Sequence, residues 1–149
     1  MCSSDLAERG FPLSFDTQGT ADLSAYLATP SAFEFLAQWS WSERDAHCRN
    51  VVGEAAEMLA HAWGVELPTH HDLRAPYLRI VPLPGAQRLA TAAEDALIVA
   101  ARERLHAEIA VTSPGGVTGV RLSAFLYNEV ADYECLVGLP ALEIGRAHV

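Results

Sequence analysis

Apolar residues recur at helical spacing through the middle of the chain: Val51, Val52, Ala55, Leu59, Ala62 and Trp63 form one stripe, and Gly64 follows the last of them. This pattern predicts a long helix over residues 42–63, ended by a glycine that can take the left-handed conformation a helix terminus needs. Ser40 followed three residues later by Glu43 has the spacing of a capping box, which fixes where that helix begins. Before it, the chain is punctuated by Gly, Pro and Ser (Gly10, Pro12, Ser14, Gly19) and then predicts two short helices. One covers residues 22–28, with Asp22 as cap or first-turn acid. The other starts at Pro30, a favoured first helical position, and carries Phe33, Leu36 and Ala37 on one side.

Beyond Gly64 the period changes. Residues 65–76 read as a loop containing Pro and His, and residues 77–84 as a short strand broken by Pro82 and Pro84, hence an edge strand or a strand end. A second helix is expected over residues 89–107, with Leu89, Ala93, Leu97, Ala100 and Leu105 buried. Residues 109–112 and 117–125 flank Ser113-Pro114-Gly115-Gly116 and predict a β-hairpin. Its second strand alternates, with Val120, Leu122 and Ala124 on one face and Gly119, Arg121 and Ser123 on the other. A last helix is expected from Asn128 as N-cap, with Glu129 and Asp132 near the positive end of its dipole and Val130, Tyr133 and Val137 in its core stripe. The order after Gly64 is therefore β-α-β-β-α, an α/β sandwich with helices over one sheet face.

Composition changes this picture in one respect. All ten basic residues are Arg, and the 149-residue chain carries a formal charge of -9 with half its residues apolar. Without lysine, this polypeptide alone supplies no amine nucleophile, no Schiff base and no P-loop lysine. The acidic balance argues against nucleic acid as a partner, which would need a clustered basic face. No apolar run approaches the ~20 residues of a membrane span and no signal peptide is evident, so the expected compartment is the cytoplasm. Cys2, Cys48 and Cys135 are widely spaced, fit no disulfide framework or metal knuckle, and are expected as reduced thiols, the latter two as small core residues.

The two ends, residues 1–6 and 143–149, are expected to be scars. The tail can be encoded by GAG ATC GGA AGA GCA CAC GTC, and the reverse complement of that string, read from its GTG, encodes Met-Cys-Ser-Ser-Asp-Leu, the start of the chain. Reverse-complementary ends look like a library adapter read into an open reading frame, which leaves Ala7 to Leu142 as the genuine segment.

Three groups of residues could carry chemistry. Arg121, mid-strand on the polar face, offers a planar fork that suits a carboxylate bidentately; the alternative is a solvated or salt-bridged strand arginine. Gly19 and Thr20, just before a helix, could approach a phosphate with a hydroxyl and free N–H groups, or could form only a turn and a cap. His70, His71 and Asp72, with His47, Cys48 and His61 elsewhere, show no helical His pair, and no metal site is expected. No nucleophile and base are paired in the sequence, so no catalytic residue is assigned. Trp39, Trp41 and Trp63 are expected to serve core and domain packing.

The stretch from Thr17-Gln18-Gly19-Thr20 through Asp22 and Tyr26 to Phe33, the long helix, Val81-Pro82-Leu83-Pro84, and Val120-Arg121-Leu122-Ser123-Ala124 leading to Tyr127-Asn128 and Asp132-Tyr133 together resemble the C-terminal part of class V aminotransferases, closest to the isopenicillin N epimerase-like branch. The resemblance runs in order across nearly all of residues 11–142. It departs at Thr17, where an aromatic is common, and at Phe125, where a polar residue is. It implies a fold type I enzyme dependent on pyridoxal 5'-phosphate, with residues 7–40 the tail of a large cofactor domain and 41–142 the small C-terminal domain. It further implies a homodimer in which Gly19 and Thr20 approach the cofactor phosphate of the neighbouring subunit, and in which Arg121 grips the α-carboxylate of an amino-acid substrate. The Schiff-base lysine, the Asp that holds the pyridine nitrogen and the aromatic stacked on the ring would lie upstream. Such a piece would be inactive by itself, while its parent would epimerise, transaminate or desulfurise an amino acid. The cysteine desulfurase branch, which would need a catalytic Cys on a loop, and a stand-alone non-catalytic α/β binding module are the alternatives.

Overall fold

In a computed structural model, residues 22–68, 70, 74–85 and 88–142 are described. The chain divides into two compact units, residues 1–39 and 40–149.

The described part of the first unit holds α1 (Ser24–Leu27) and α2 (Thr29–Leu36). Asp22 caps α1 as its spacing suggests: its Oδ1 accepts the Ser24 N–H at 2.9 Å. Pro30 occupies the first turn of α2, where a missing N–H costs nothing. The Phe35 and Trp39 rings meet edge to face at 4.9 Å. Leu23, Tyr26, Leu27 and Phe33 are all exposed.

The second unit is built on α3 (Trp41–Trp63). Both halves of the capping box are present: Ser40 Oγ accepts the Glu43 N–H at 3.3 Å, and a Glu43 carboxylate oxygen accepts the Ser40 N–H at 2.8 Å. Gly64 adopts φ 66°, ψ 36° and ends the helix, and the Val65 N–H turns back to the Ala60 carbonyl at 3.0 Å. The buried stripe is Cys48, Val51, Val52, Ala55, Ala56, Leu59, Ala60 and Trp63. Ala62, expected in the stripe, is exposed, and Ala60 takes its place one position round the helix.

The sheet is antiparallel with strand order β1-β3-β2, where β1 is Leu78–Pro82, β2 is Ala110–Thr112 and β3 is Gly119–Ser123. The proline-bounded strand β1 is indeed an edge. Register pairs Ile80 with Arg121 and Val81 with Val120 on one side of β3, and Ala110 with Arg121 on the other. The buried face presents Val81, Val120 and Leu122 to the core formed with α3 and with Leu97 and Ala101 of α4 (Thr91–Leu105). Ala101, rather than the expected Ala100, is the fully buried alanine of α4. Gly119 is required by close approach: a Cβ there would lie 2.8 Å from both Ile80 Cγ2 and the Val81 carbonyl oxygen.

The final segment departs from expectation. Val130–Ala141 winds as 3₁₀ turns rather than an α-helix, with Pro140 inside it and Glu129, not Asn128, at its cap position. The Glu129 N–H donates to Asp132 Oδ2 at 2.9 Å. With three residues per turn, residues three apart share a face. The buried set is accordingly Tyr133, Leu136 and Leu139, and Val137 of the expected stripe is exposed. The fold after Gly64 is thus a mixed α/β arrangement ending in 3₁₀ turns, where an α-helix had been expected. Among the described residues no helix is long and apolar enough to cross a membrane.

Candidate functional site

Alternation along β3 places Arg121 on the open face of the sheet, in the central strand, between Ile80 of β1 and Ala110 of β2. Arg121 is exposed, while Val120 and Leu122 on either side of it are buried. Its guanidinium makes no hydrogen bond or ion pair among the described residues. It lines a groove of about 400 Å³ together with Glu108, Ser123, Asn128, Asp132 and Cys135.

The carboxylates of this groove are already engaged. Glu108 forms a two-point ion pair with Arg102, one arm of which is an Nη2–H donated to Oε2 at 2.9 Å. That guanidinium holds the Glu108 carboxyl below the usual carboxylate range. Asp132 Oδ2 accepts from the Glu129 N–H and from Asn128 Nδ2–H at 3.3 Å, while its Oδ1 takes no hydrogen bond among the described residues. Asn128 Oδ1 in turn accepts the Phe125 N–H at 2.9 Å, so the turn after β3 is tied by side chains rather than by water. Ser123's backbone carbonyl accepts the buried Tyr133 hydroxyl at 2.7 Å, which anchors the 3₁₀ turns to the strand beside the groove. Arg121 is therefore left as a cation without a counter-ion, next to one carboxylate oxygen with spare accepting capacity.

The remaining sequence candidates do not join it. Gly19, Thr20, His71 and Asp72 lie outside the described residues, as do both terminal segments. His70 is exposed. His47 Nε2 donates to the Asn128 carbonyl at 3.1 Å, tying α3 to the turn after β3. Among the described residues no group of three or more His, Cys, Asp or Glu side chains could hold a metal ion. Cys48 is buried as expected, and burial pushes its thiol up from the ordinary value. Cys135 is exposed and not a core residue, because the 3₁₀ period turns it away from Tyr133, Leu136 and Leu139. Of the tryptophans Trp63 is buried and donates its indole N–H to the Val137 carbonyl at 3.2 Å; Trp41 is exposed, with the Arg44 guanidinium 5.2 Å from its ring centre.

Glu108 and Asp132 were not read as site residues. Asp132 has a helix-start signature that conceals a second role, and Glu108 follows a helix end at His106, whose φ of 54° turns the chain back toward β3. No protein-family model matches the chain, and no curated protein matches it.

Proposed function

We propose that this chain is the C-terminal part of a pyridoxal phosphate-dependent, class V aminotransferase-like enzyme of the isopenicillin N epimerase-like branch, in which Arg121 holds the α-carboxylate of an amino-acid substrate. The observation that carries the reading is the uncompensated guanidinium at the centre of the open sheet face. A planar fork held by a rigid strand loses little order when it grips a carboxylate at two points. The groove also offers Asp132 Oδ1, so an amino acid's ammonium and carboxylate find opposite charges within one concavity.

The described residues do not by themselves make a cofactor site. The chain has no lysine to bond the cofactor's aldehyde, and the carboxylates of Glu108 and Asp132 would repel a phosphate placed beside Arg121. The role of this chain is thus confined to binding and orienting substrate; proton transfer and the electron sink belong to the large domain of the parent. In that parent, Gly19 and Thr20 would reach the cofactor phosphate of a second subunit in a homodimer.

One observation favours the cysteine desulfurase branch as a second reading: Cys135 is exposed and lines the groove that holds Arg121. It lies within 3₁₀ turns rather than on a loop, which keeps the epimerase-like reading first. Reading the gene upstream of the codon for Ala7 tests the proposal. A large α/β domain carrying a Schiff-base lysine supports it, and a stop codon immediately before Ala7 overturns it in favour of a stand-alone binding module.

A further inference from the structure

A second concavity, of about 580 Å³, runs along β1 and shares no lining residue with the groove around Arg121. Its volume lies in the range of small-ligand sites, and its walls are largely apolar. Leu78, Ile80 and Pro82 of β1 line it, with Val117 from the hairpin turn and with Arg74 and Arg79. The register orders these groups. Pro82 pairs with Gly119, two residues beyond Val117, so the hairpin end of the trough is apolar. Arg79 and Arg74 belong to the Leu78 end. At ~3.3 Å per strand residue, the two ends are ~13 Å apart.

The basic end is short of acceptors. Arg79 Nη1 folds back onto the carbonyls of Ala75 and Leu78, its neighbours in sequence, and its Nε–H is buried without any partner. Burial, followed by the nearby cations of Arg74 and Arg49, disfavours its charged form, and only Glu57 opposes this. Glu57 is itself 3.5 Å from Arg74. The surplus at this end is therefore about one positive charge, which matches a monoanion and not a phosphate dianion. A buried N–H with no acceptor is a cost that a ligand oxygen would remove.

We propose that this trough binds a carboxylate carried on an unbranched apolar chain, the carboxylate at Arg79 and the chain lying over Leu78, Ile80 and Pro82 toward Val117. The site stands apart from Arg121, so it does not depend on the aminotransferase reading.

Decanoate, titrated into the full chain by calorimetry below its micellar concentration, tests this. It should saturate one site, and butyrate, which keeps the head and loses most of the tail, should bind at least about tenfold more weakly. Val117 is exposed, so Val117→Glu should keep the wild-type melting temperature and lower decanoate affinity by about tenfold or more. Arg79→Met, which keeps the aliphatic stem, should do the same; if that variant does not fold, Val117→Glu decides. The proposal is overturned by the absence of saturable decanoate binding, by unchanged binding to folded Val117→Glu, or by decyltrimethylammonium binding as tightly as decanoate.

Discussion

The same substitution, glycine to alanine, should change stability in opposite directions at two positions. At Gly119 an added Cβ would sit 2.8 Å from Ile80 Cγ2, 2.8 Å from the Val81 carbonyl oxygen and 3.2 Å from the Val81 carbonyl carbon. The isoleucine methyl can rotate away. The carbonyl cannot, because Val81 lies within the ladder that pairs it with Val120, and moving it shifts β1 against the core. Overpacking of this kind costs ~1–3 kcal/mol, and the smaller conformational freedom of alanine in the unfolded chain returns ~0.4–1 kcal/mol. Gly119→Ala should therefore destabilise by about 1–2 kcal/mol. Gly53 lies inside α3, and a Cβ there meets nothing within 4 Å. Gly53→Ala should stabilise by about 1 kcal/mol, the difference in helix propensity. With a urea dependence of ~1–3 kcal/mol per molar for a small domain, the two midpoints should differ by roughly 1–2 M. Urea unfolding followed by far-ultraviolet circular dichroism reads this directly. A Gly119→Ala midpoint at or above wild type would refute the reasoning about β1 and β3.

Three further expectations test other parts of the account. Leu139→Ala should cost about 3–4 kcal/mol and Val137→Ala less than about 0.5 kcal/mol in thermal melts, because only Leu139 is fully buried; comparable losses would mean that residues 130–141 do not repeat every three residues. Arg49 first, and the Tyr77 hydroxyl second, hold the Asp45 carboxyl below the usual range. Its contribution is therefore present above the ordinary carboxylate value near pH 4 and is lost as pH falls through the lower folded value, so the melting temperature of Asp45→Asn should decline less between pH 5 and pH 2 than that of wild type. Pyridoxal phosphate followed by borohydride should leave no stable adduct at an internal residue by mass spectrometry, since the chain has no lysine; such an adduct would contradict the division of labour proposed for this chain.

The parts of the fold legible in the sequence are those set by local chemistry. Ser40 with Glu43 and the left-handed Gly64 bracket α3 because caps depend on a few neighbouring residues. The alternation of Val120, Arg121 and Leu122 assigns faces because a strand has only two. Prolines mark β1 as an edge because they cannot donate to a ladder. The 3₁₀ turns of Val130–Ala141 were not legible. Tyr133, Leu136 and Leu139 stand at intervals of three, which an α-helix also tolerates over two turns, so the apolar positions alone do not separate the two periods. The surroundings of Arg121 were half legible. Its face and the nearness of Ser123 follow from alternation, whereas Glu108 and Asp132 arrive through the turn at His106 and the chain reversal after β3, and only tertiary structure brings them to the same groove.

The central claim is that Arg121 is a carboxylate anchor, and the side-chain Nε–H resonances of nitrogen-15 arginine-labelled protein test it most directly. The Arg121 signal, assigned by its loss in Arg121→Gln, should move saturably with L-alanine and stay in place with L-alaninamide, which keeps the ammonium and lacks the carboxylate. An Arg121 signal that ignores L-alanine, or that moves equally with both, would contradict the account.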